Sequence, residues 1–242
     1  MSNDWCDKEF RMMVALGEST TAGGWSTSAD RCWVSVLAAL INNFQSTPMR
    51  VVNSGIGSNV ISTRSPCYER SGRPAGDERL DKHVLGHRPD LLIISYGLND
   101  ALGGTPADLF GDLLVDLIRR VREHVDPVIA LSGPHYMTDF RLEAPWDHGS
   151  LSLLEQFNGV IARVAIERRC LYVDVLGPNG ETDWMVHRDG VHQNDLGHRV
   201  IANRIFDVLA RNCSCLAKST REAEKSSPLW RDESALKADY GY

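Results

Sequence analysis

Short apolar segments and longer amphipathic segments alternate along the chain. Apolar segments of strand length predict five β-strands: Arg11–Leu16, Met49–Asn53, Asp90–Ser95, Pro127–Ser132 and Cys170–Val175. Apolar residues at helical spacing predict the main helices: Ala29–Phe44, Asp77–Leu85, Pro106–His124, Ser150–Arg169 and Leu196–Arg211. Strands that alternate with helices in this way are typical of a mostly parallel sheet with helices on both faces. The pattern therefore predicts an α/β fold, a three-layer α/β/α sandwich around a five-stranded sheet.

The length of the chain indicates how many domains it forms. Its 242 residues fit one α/β domain better than two small ones. We assign residues 1–211 to this domain, because the last long helix is predicted to end at Arg211. From Asn212 onward the sequence is polar, so we expect residues 212–242 to form a poorly ordered or loosely docked tail.

Charge and composition exclude several classes of partner. The formal net charge is −6 at pH 7 and no long basic run offsets it, which argues against binding of nucleic acid. No apolar stretch approaches the roughly 18 residues that span a bilayer, so we expect no membrane span. The acidic first ten residues do not resemble a secretion signal, and the six cysteines are scattered. These features predict a reduced, cytoplasmic setting; they leave the oligomeric state open.

Ser19 directly follows the first predicted strand, within Gly17-Glu18-Ser19-Thr20. A serine hydroxyl is a weak nucleophile until a neighbouring base takes its proton. A serine after a strand is also a common helix cap or turn residue. Both interpretations of Ser19 stay open on this tetrapeptide alone.

Asp189 and His192 lie three residues apart in the loop-like segment Gly177–Asn194, just before the last long helix. A catalytic histidine needs a carboxylate on its other ring nitrogen, and these two side chains can meet locally. A surface loop with a capping aspartate and a solvated histidine is an equally good interpretation. A metal site is a third, because histidines and a carboxylate cluster here: His187, Asp189, His192 and His198. Their spacing is poor for one helical face, so we predict neither a metal nor another cofactor.

Two further segments follow predicted strands and offer hydrogen-bond donors. Asn99, in Gly97-Leu98-Asn99-Asp100, offers a side-chain amide, and the glycine-rich Ser54–Asn59 offers backbone N–H groups. Ester cleavage passes through an oxyanion that such donors stabilise. Taken singly, each segment is also an ordinary turn or strand exit. In parallel α/β sheets, however, ligands bind beyond the carboxyl ends of the strands, where all these segments are expected to gather.

Together, four segments resemble the blocks of the SGNH hydrolases, also called GDSL esterases and lipases. The resemblance spans about residues 11–211 and is carried by Ala15–Thr20, Val52–Asn59, Tyr96–Asp100 and Asp189–His192, the last followed by Asn194, Gly197 and His198. It implies the flavodoxin-like SGNH hydrolase fold. It also implies that Ser19 is the nucleophile and an oxyanion donor through its N–H, and that Asn99 is a second donor. In the same way, His192 corresponds to the base and Asp189 to the carboxylate that orients it.

The chain departs from this family pattern at two positions. Glu18 stands where the family usually has aspartate, and we expect it to support the site rather than to react. Counting from Asn53, the position of the usual oxyanion glycine is Ser58, and a shift of one residue would make it Gly57. A backbone N–H is the donor there, so Ser58 can serve if its dihedrals avoid the region reserved for glycine. We keep both residues as candidates.

The resemblance implies a serine esterase that forms an acyl-enzyme on Ser19. Its expected substrate is a small-molecule or glycan ester with an acetyl or short acyl group; a lysophospholipase or thioesterase acting on longer chains is the alternative. A ligand-binding module on a hydrolase scaffold without activity is a third possibility. The loop Gly133–Gly149 on one side, and Trp25 with Arg64–Arg73 on the other, are expected to line the substrate or to pack against the body of the protein.

Overall fold

A five-stranded, all-parallel sheet forms the centre of the protein. The computed structural model describes residues 4–177, 182–226 and 232–241. Residues 178–181 of the predicted Gly177–Asn194 loop, and residues 227–231 and 242 of the predicted tail, lie outside the described residues. The sheet has the order β2-β1-β3-β4-β5 and consists of β1 Met12–Gly17, β2 Arg50–Gly55, β3 Leu91–Ser95, β4 Val128–Ser132 and β5 Leu171–Val173.

The register of the strands brings their carboxyl ends to one edge. Gly17 at the end of β1 pairs with Gly55 at the end of β2 and with Ser95 at the end of β3. Ser95 pairs in turn with Ser132 at the end of β4. Whatever follows these strands therefore begins at the same edge of the sheet, as the sequence predicted for the candidate site residues.

Nine α-helices lie among the described residues: α1 Ser19–Ala22, α2 Trp33–Asn42, α3 Gly76–His83, α4 Leu98–Leu102, α5 Ala107–Arg122, α6 Leu151–Glu167, α7 Asp195–Asn212, α8 Lys218–Glu224 and α9 Ser234–Ala238. Short 3₁₀ turns are Ala29–Arg31, Tyr68–Arg70, Leu85–His87, Asp183–Met185 and Ser214–Ala217. Within the described part of the chain, no helix is long and apolar enough to cross a membrane.

Alternate residues of the inner strands pack into two separate cores. Ile94 and Leu131 pack on one face, against α5 and α6, whereas Ile93 and Ala130 pack on the other, against α2 and α7. A strand points successive side chains to opposite faces, so an apolar strand buries both faces only when helices cover both. The predicted three-layer α/β/α sandwich is confirmed.

Two predicted elements are shorter in the structure. The predicted helix Ala29–Phe44 is divided at Cys32, whose extended backbone (φ −59°, ψ 140°) separates a 3₁₀ turn from α2. The predicted strand Cys170–Val175 is ordered as a strand only over Leu171–Val173. It pairs with β4 alone, and the Asp174 carboxylate accepts the N–H groups of Leu176 and Gly177, which turns the chain away from the sheet.

The chain just after α7 is packed rather than loose. Cys213, Cys215 and Leu216 are buried in the core that α2 and α7 cover. The N–H of Trp5 also donates to Asn212 O at 2.8 Å. The expected loosely docked tail therefore begins later than Asn212, because small cysteines pack as apolar residues when buried. The division into a domain of residues 1–211 and a separate tail otherwise stays a prediction.

Candidate active site

Ser19 is the first residue of α1 and lies immediately beyond β1. As a first helical residue, it has a backbone N–H without an intrahelical acceptor. The turn that places it needs glycine at position 17, because a Cβ there would lie 2.3 Å from Thr21 Oγ1 and 2.6 Å from Ser95 O. The sharp strand-to-helix turn thus holds the Ser19 hydroxyl and N–H at the edge where the strands end.

A continuous hydrogen-bond chain joins Ser19 to His192 and Asp189. His192 Nε2 lies 2.9 Å from Ser19 Oγ, and His192 Nδ1 lies 2.7 Å from Asp189 Oδ2. The carboxylate can only accept, so Nδ1 carries the ring proton and Nε2 is left to accept from the Ser19 hydroxyl. The sequence predicted that these three residues meet, although 173 positions separate Ser19 from His192.

Hydrogen bonds within the loop that carries His192, and one from a second loop, fix its backbone. Asp189 Oδ1 accepts the N–H groups of Val191 at 3.0 Å and of His192 at 3.1 Å. Gly190 has φ 76°, and its carbonyl accepts the N–H of Thr138 at 2.7 Å. Thr138 belongs to the predicted loop Gly133–Gly149, so that loop braces the backbone between Asp189 and His192.

The surroundings of the pair favour a neutral imidazole beside an ionised carboxylate. Burial lowers the pKa of His192, and the hydrogen bond to Asp189 opposes this shift only in part. Partial burial by itself would raise the pKa of Asp189, but hydrogen bonds from His192 and from the N–H of Val191 bring it below its ordinary value. At neutral pH, His192 is therefore able to accept a proton from Ser19.

Asn99 lies in α4, the short helix that follows β3. Its Nδ2 donates to Asn59 O at 3.0 Å, and its backbone N–H donates to Glu18 Oε1 at 3.0 Å. A side-chain amide has two N–H donors, so the contact with Asn59 uses one and fixes the direction of the other. This arrangement holds a preoriented donor at the same edge as Ser19.

Glu18 is buried and links the end of β1 to the start of α4. Its Oε1 accepts the N–H groups of Gly97 at 3.2 Å and of Asn99 at 3.0 Å. Burial, reinforced by the nearby carboxyl of Asp100, raises the pKa of Glu18 well above its ordinary value. Burial also raises the pKa of Asp100, to about 6. Glu18 thus supports the segment that carries Asn99.

The backbone distinguishes Ser58 from Gly57. Ser58 has φ 52°, in the left-handed region that side chains avoid and glycine tolerates. A Cβ added to Gly57 would meet nothing within 4 Å. Ser58 is therefore the residue of this turn with a glycine-like conformation, in a region that residues other than glycine enter at some cost.

A buried polar network that the sequence did not indicate supports the same turn. Arg79 of α3 donates to Asn59 Oδ1 at 2.7 Å and to Tyr96 Oη at 2.6 Å. It also donates to the backbone oxygen of Ser54 at the end of β2. Since Asn59 O in turn accepts from Asn99, this network connects α3 to the donor in α4. The sequence predicted a helix around Arg79 from the spacing of its apolar residues, but that spacing does not indicate that the Arg79 side chain is buried.

Trp25 stacks on His192. The two ring centroids are 3.8 Å apart and the ring planes differ by 8°. Trp25 is 46% exposed, so the residue that covers the imidazole also keeps part of its surface in contact with solvent. The sequence suggested Trp25 as a lining residue of the site, without indicating this contact.

A comparison with known protein families matches residues 15–200 to the model of the GDSL-like lipase/acylhydrolase family. The chain belongs to this family. The resemblance to the SGNH and GDSL hydrolases is thereby confirmed, and the protein is an ester-hydrolysing enzyme. A search of curated proteins by sequence finds no significant match.

Solved structures with the same fold include three enzymes. The lipase/acylhydrolase from Enterococcus faecalis is 22% identical, with 82% of this chain and 95% of that chain covered and a TM-score of 0.65. Axe2, an acetylxylan esterase from Geobacillus stearothermophilus, is 19% identical, with 84% and 95% covered and a TM-score of 0.63. An alpha/beta hydrolase from the metagenome of Lake Arreo is 23% identical, with 85% and 96% covered and a TM-score of 0.62. At these identities the likeness shows the fold alone.

The histidines and the aspartate that the sequence offered as a metal site are not grouped to bind a cation. Trp33 N–H donates to His198 Nδ1 at 3.3 Å, and His198 Nε2 lies 3.1 Å from Gly24 O, so both ring nitrogens are occupied. Across the described residues, no three His, Cys, Asp or Glu side chains are grouped to hold a metal ion. His198 instead fastens the loop before Trp25 to α7.

Two cavities among the described residues lie away from this edge of the sheet. One of about 420 Å³ is lined by Trp5, Arg122 and Val128, and another of about 820 Å³ by Trp5, Asp90 and Lys218, among others. Asp90 and Val128 stand at the amino ends of β3 and β4, opposite the end that carries Ser19. Because ligands of such sheets bind at the carboxyl ends, the site is identified by its side chains and not by cavity size.

Proposed function

We propose that the enzyme hydrolyses a carboxylic ester through an acyl-enzyme on Ser19. The observation that carries the proposal is the unbroken chain from Ser19 Oγ to His192 Nε2 at 2.9 Å and from His192 Nδ1 to Asp189 Oδ2 at 2.7 Å. A serine, a neutral histidine and an ionised aspartate in this order are the groups that activate a hydroxyl nucleophile.

In the first step, Ser19 Oγ forms a bond to the ester carbonyl carbon while its proton passes to His192 Nε2. Asp189 keeps the ring oriented and stabilises the imidazolium. When the tetrahedral species collapses, the carbon–oxygen bond to the alcohol breaks. His192 then gives its proton to the departing alkoxide, which leaves as the alcohol.

The tetrahedral oxygen carries a negative charge that needs donors already in place. We assign this role to the N–H of Ser19, the remaining N–H of the Asn99 amide, and a backbone N–H of the Gly57–Ser58 turn. Counted from Asn53, Ser58 holds the position of the family's oxyanion glycine, and its φ of 52° lies in the left-handed region that glycine favours. Gly57 stays the second candidate.

In the second step, a water molecule takes the place of the alcohol. His192 accepts a proton from the water as its oxygen attacks the acyl carbon. The same donors hold the second oxyanion, and the bond to Ser19 Oγ breaks as His192 returns the proton to the serine. The products are a carboxylic acid and the free enzyme, and no cofactor is required.

The substrate class we favour is an acetyl or short acyl ester of a small molecule or a glycan. The fold is shared with an acetylxylan esterase, and two other matching structures are catalytic mutants of that esterase, at a serine and at a histidine.

An ester panel tests this function. Acetylated xylan and p-nitrophenyl esters of graded chain length are offered to the wild type, to Ser19→Ala and to Ser35→Ala, an exposed serine of α2. We expect turnover of the acetyl esters, its loss in Ser19→Ala and its retention in Ser35→Ala. A fluorophosphonate should label Ser19, as read by peptide mass spectrometry. Activity that rises with chain length would favour the lysophospholipase or thioesterase alternative, and no turnover or labelling would refute the proposal.

A further inference from the structure

The Trp25 indole lies face to face with the His192 imidazole, at 3.8 Å between centroids and 8° between planes. The ring edge that carries Nε2 is 2.9 Å from Ser19 Oγ, so the stack leaves the reacting edge free. An indole in this position covers one whole face of the ring and restricts its rotation. It also places the electron-rich face of an aromatic system against a ring that becomes a cation during turnover.

The backbone at Trp25 is in an unusual conformation. Its φ is 66°, in the left-handed region, where a bulky side chain is rare and costs conformational energy. Such outliers persist only where the surrounding structure enforces them, and they cluster at functional sites. A tryptophan that only covered the protein surface would not require a left-handed backbone.

Contacts on both sides of Trp25 enforce the conformation. Gly24 N–H donates to Ser19 O at 2.9 Å, and Gly24 O accepts from His198 Nε2 at 3.1 Å. On the other side, Thr27 N–H donates to Asp195 Oδ1 at 2.7 Å. His198 and Asp195 belong to the first turn of α7, which begins just after His192. The same helix start therefore fixes both partners of the stack.

We propose that Trp25 is a positioning residue for His192, which keeps Nε2 directed at Ser19 Oγ and stabilises the imidazolium. The proton involved is the one that passes from Ser19 Oγ to Nε2 on acylation and from Nε2 to the leaving alcohol afterwards. This inference rests on the proposed function, in which His192 is the base. It adds a fourth side chain to the three that the hydrogen-bond chain contains.

Several titratable groups surround the stack and have to be separated in any pH experiment. Asp189 forms a hydrogen bond with His192 Nδ1. The ring centroids of His187 and Trp25 are 6.0 Å apart. His135 and His198 are also buried; His135 Nε2 lies 3.1 Å from Val191 O, and His198 Nε2 lies 3.1 Å from Gly24 O. Burial lowers the pKa of both, that of His135 to about 4, so both are neutral near pH 7.

The fluorescence of Trp25 tests the contact itself. A protonated imidazole quenches an indole that it touches. The emission that the wild type has and Trp25→Phe lacks should therefore fall as the pH decreases through the pKa of His192, which burial lowers below 6.5. We expect this titration to vanish in His192→Gln and to remain in His187→Gln, although His187 Nδ1 lies 3.4 Å from Asp189 Oδ1. Trp184→Phe, which removes an exposed tryptophan, should leave it unchanged. A Trp25 signal that does not change with pH, or that follows His187 instead, would overturn the proposal.

Kinetics with p-nitrophenyl acetate test the consequence. In Trp25→Asn we expect kcat to fall by roughly 3- to 30-fold with KM little changed, as for a lost interaction with a cation. Asparagine tolerates the left-handed backbone better, so the melting temperature should stay equal or rise. Trp25→Phe, which keeps a ring, should recover much of the lost kcat. A rise in KM at constant kcat would make Trp25 a substrate-binding wall, and parallel losses of activity and melting temperature would make it a structural residue; either result contradicts the proposal.

The two experiments separate this inference from the proposed function. A wild type without activity on any ester would refute the function. The fluorescence titration does not depend on turnover, so it would still decide whether Trp25 contacts the protonated form of His192.

Discussion

Glu18 Oε1 accepts the backbone N–H of Asn99 at 3.0 Å, although the two residues are 81 positions apart. The contact joins the residue next to Ser19 with the proposed side-chain donor for the oxyanion. A position where the family usually has aspartate therefore governs the distance between two parts of the site. Glutamate is one methylene longer than aspartate, and the carboxyl of Glu18 is fully buried. This burial has a measurable consequence for the dependence of stability on pH.

Glu18→Gln should change how stability depends on pH. The raised pKa of Glu18 means that its native environment favours the protonated form. Its contribution to stability is thus fully present below the unfolded pKa, near 4.5, and is lost as the pH rises through the folded value. Glutamine mimics the neutral acid, so we expect the variant to match the wild type at about pH 4 and to be the more stable near pH 8. Urea unfolding across this range measures the difference.

The opposite result, a Gln variant that becomes less stable than wild type as the pH rises, would mean that Glu18 is held as a carboxylate. Asp90→Asn serves as a control, because Asp90 accepts backbone N–H groups of Arg11 and Met12 at the far end of the sheet.

Asp189→Asn should remove most activity without removing the fold. Asparagine presents a donor or a weaker acceptor to Nδ1, so the imidazole loses the tautomer that leaves Nε2 free. A substitution of this kind lowers kcat by about 10⁴-fold in a serine triad. We expect a similar loss in steady-state ester hydrolysis and retention of activity in His124→Ala, an exposed histidine remote from the chain of Ser19 and His192. A fall of less than tenfold would argue against the assigned role of Asp189.

The acid limb of kcat/KM should report the protonation of His192. Burial lowers its pKa below 6.5, so the free enzyme keeps its neutral base to lower pH than an exposed histidine would. Activity is expected to fall as the pH decreases through that lowered value. An inflection clearly above pH 6.5 in the pH profile would contradict this assignment.

Asn99→Ala should affect the transition state more than substrate binding. The variant loses the amide that Asn59 O orients at 3.0 Å. Loss of one such oxyanion donor costs about 10²- to 10³-fold in kcat, with KM nearly unchanged. Asn203→Ala, at an exposed position of α7, is the matched control. If KM rose instead and kcat did not change, Asn99 would be a ground-state contact.

Gly57 and Ser58 should respond differently to substitution. Gly57→Ala puts a Cβ into open space, so we expect stability and activity close to wild type. Ser58→Val forces a β-branched side chain into a backbone with φ 52° and should lower the free energy of unfolding by about 1–2 kcal/mol, with a loss of kcat. Urea unfolding and ester kinetics measure both. Inactivity of Gly57→Ala with normal stability would move the donor role to Gly57.

The sequence predicted the sheet well because each strand carries its own signal. The apolar β3 and β4 and the turn after β1 are local patterns, and parallel pairing then brings Ser19, Asn99 and His192 to one edge without further information. What could not be predicted depends on contacts between distant segments. The stack on His192 needs a left-handed Trp25, which contacts with Ser19 and with α7 enforce, and the burial of Arg79 depends on the ends of β1 and β2. The cytoplasmic location stays a prediction, because a fold does not indicate the cellular compartment in which a protein acts.

The segment around Trp5 pairs with the segment that follows α7. Trp5 N–H donates to Asn212 O at 2.8 Å, and Cys215 N–H donates to Cys6 O at 3.0 Å. This pairing occurs where α7 ends, and a helix of 18 residues places that point about 27 Å along its axis from the turn that follows His192. Two segments from distant parts of the sequence that lie side by side, remote from the reacting groups, make this fold suitable for circular permutation. A short linker from Ala217 to Asp4, which keeps the buried Leu216, with new termini in the surface loop between α2 and β2, would give a rearranged chain with an undisturbed Ser19.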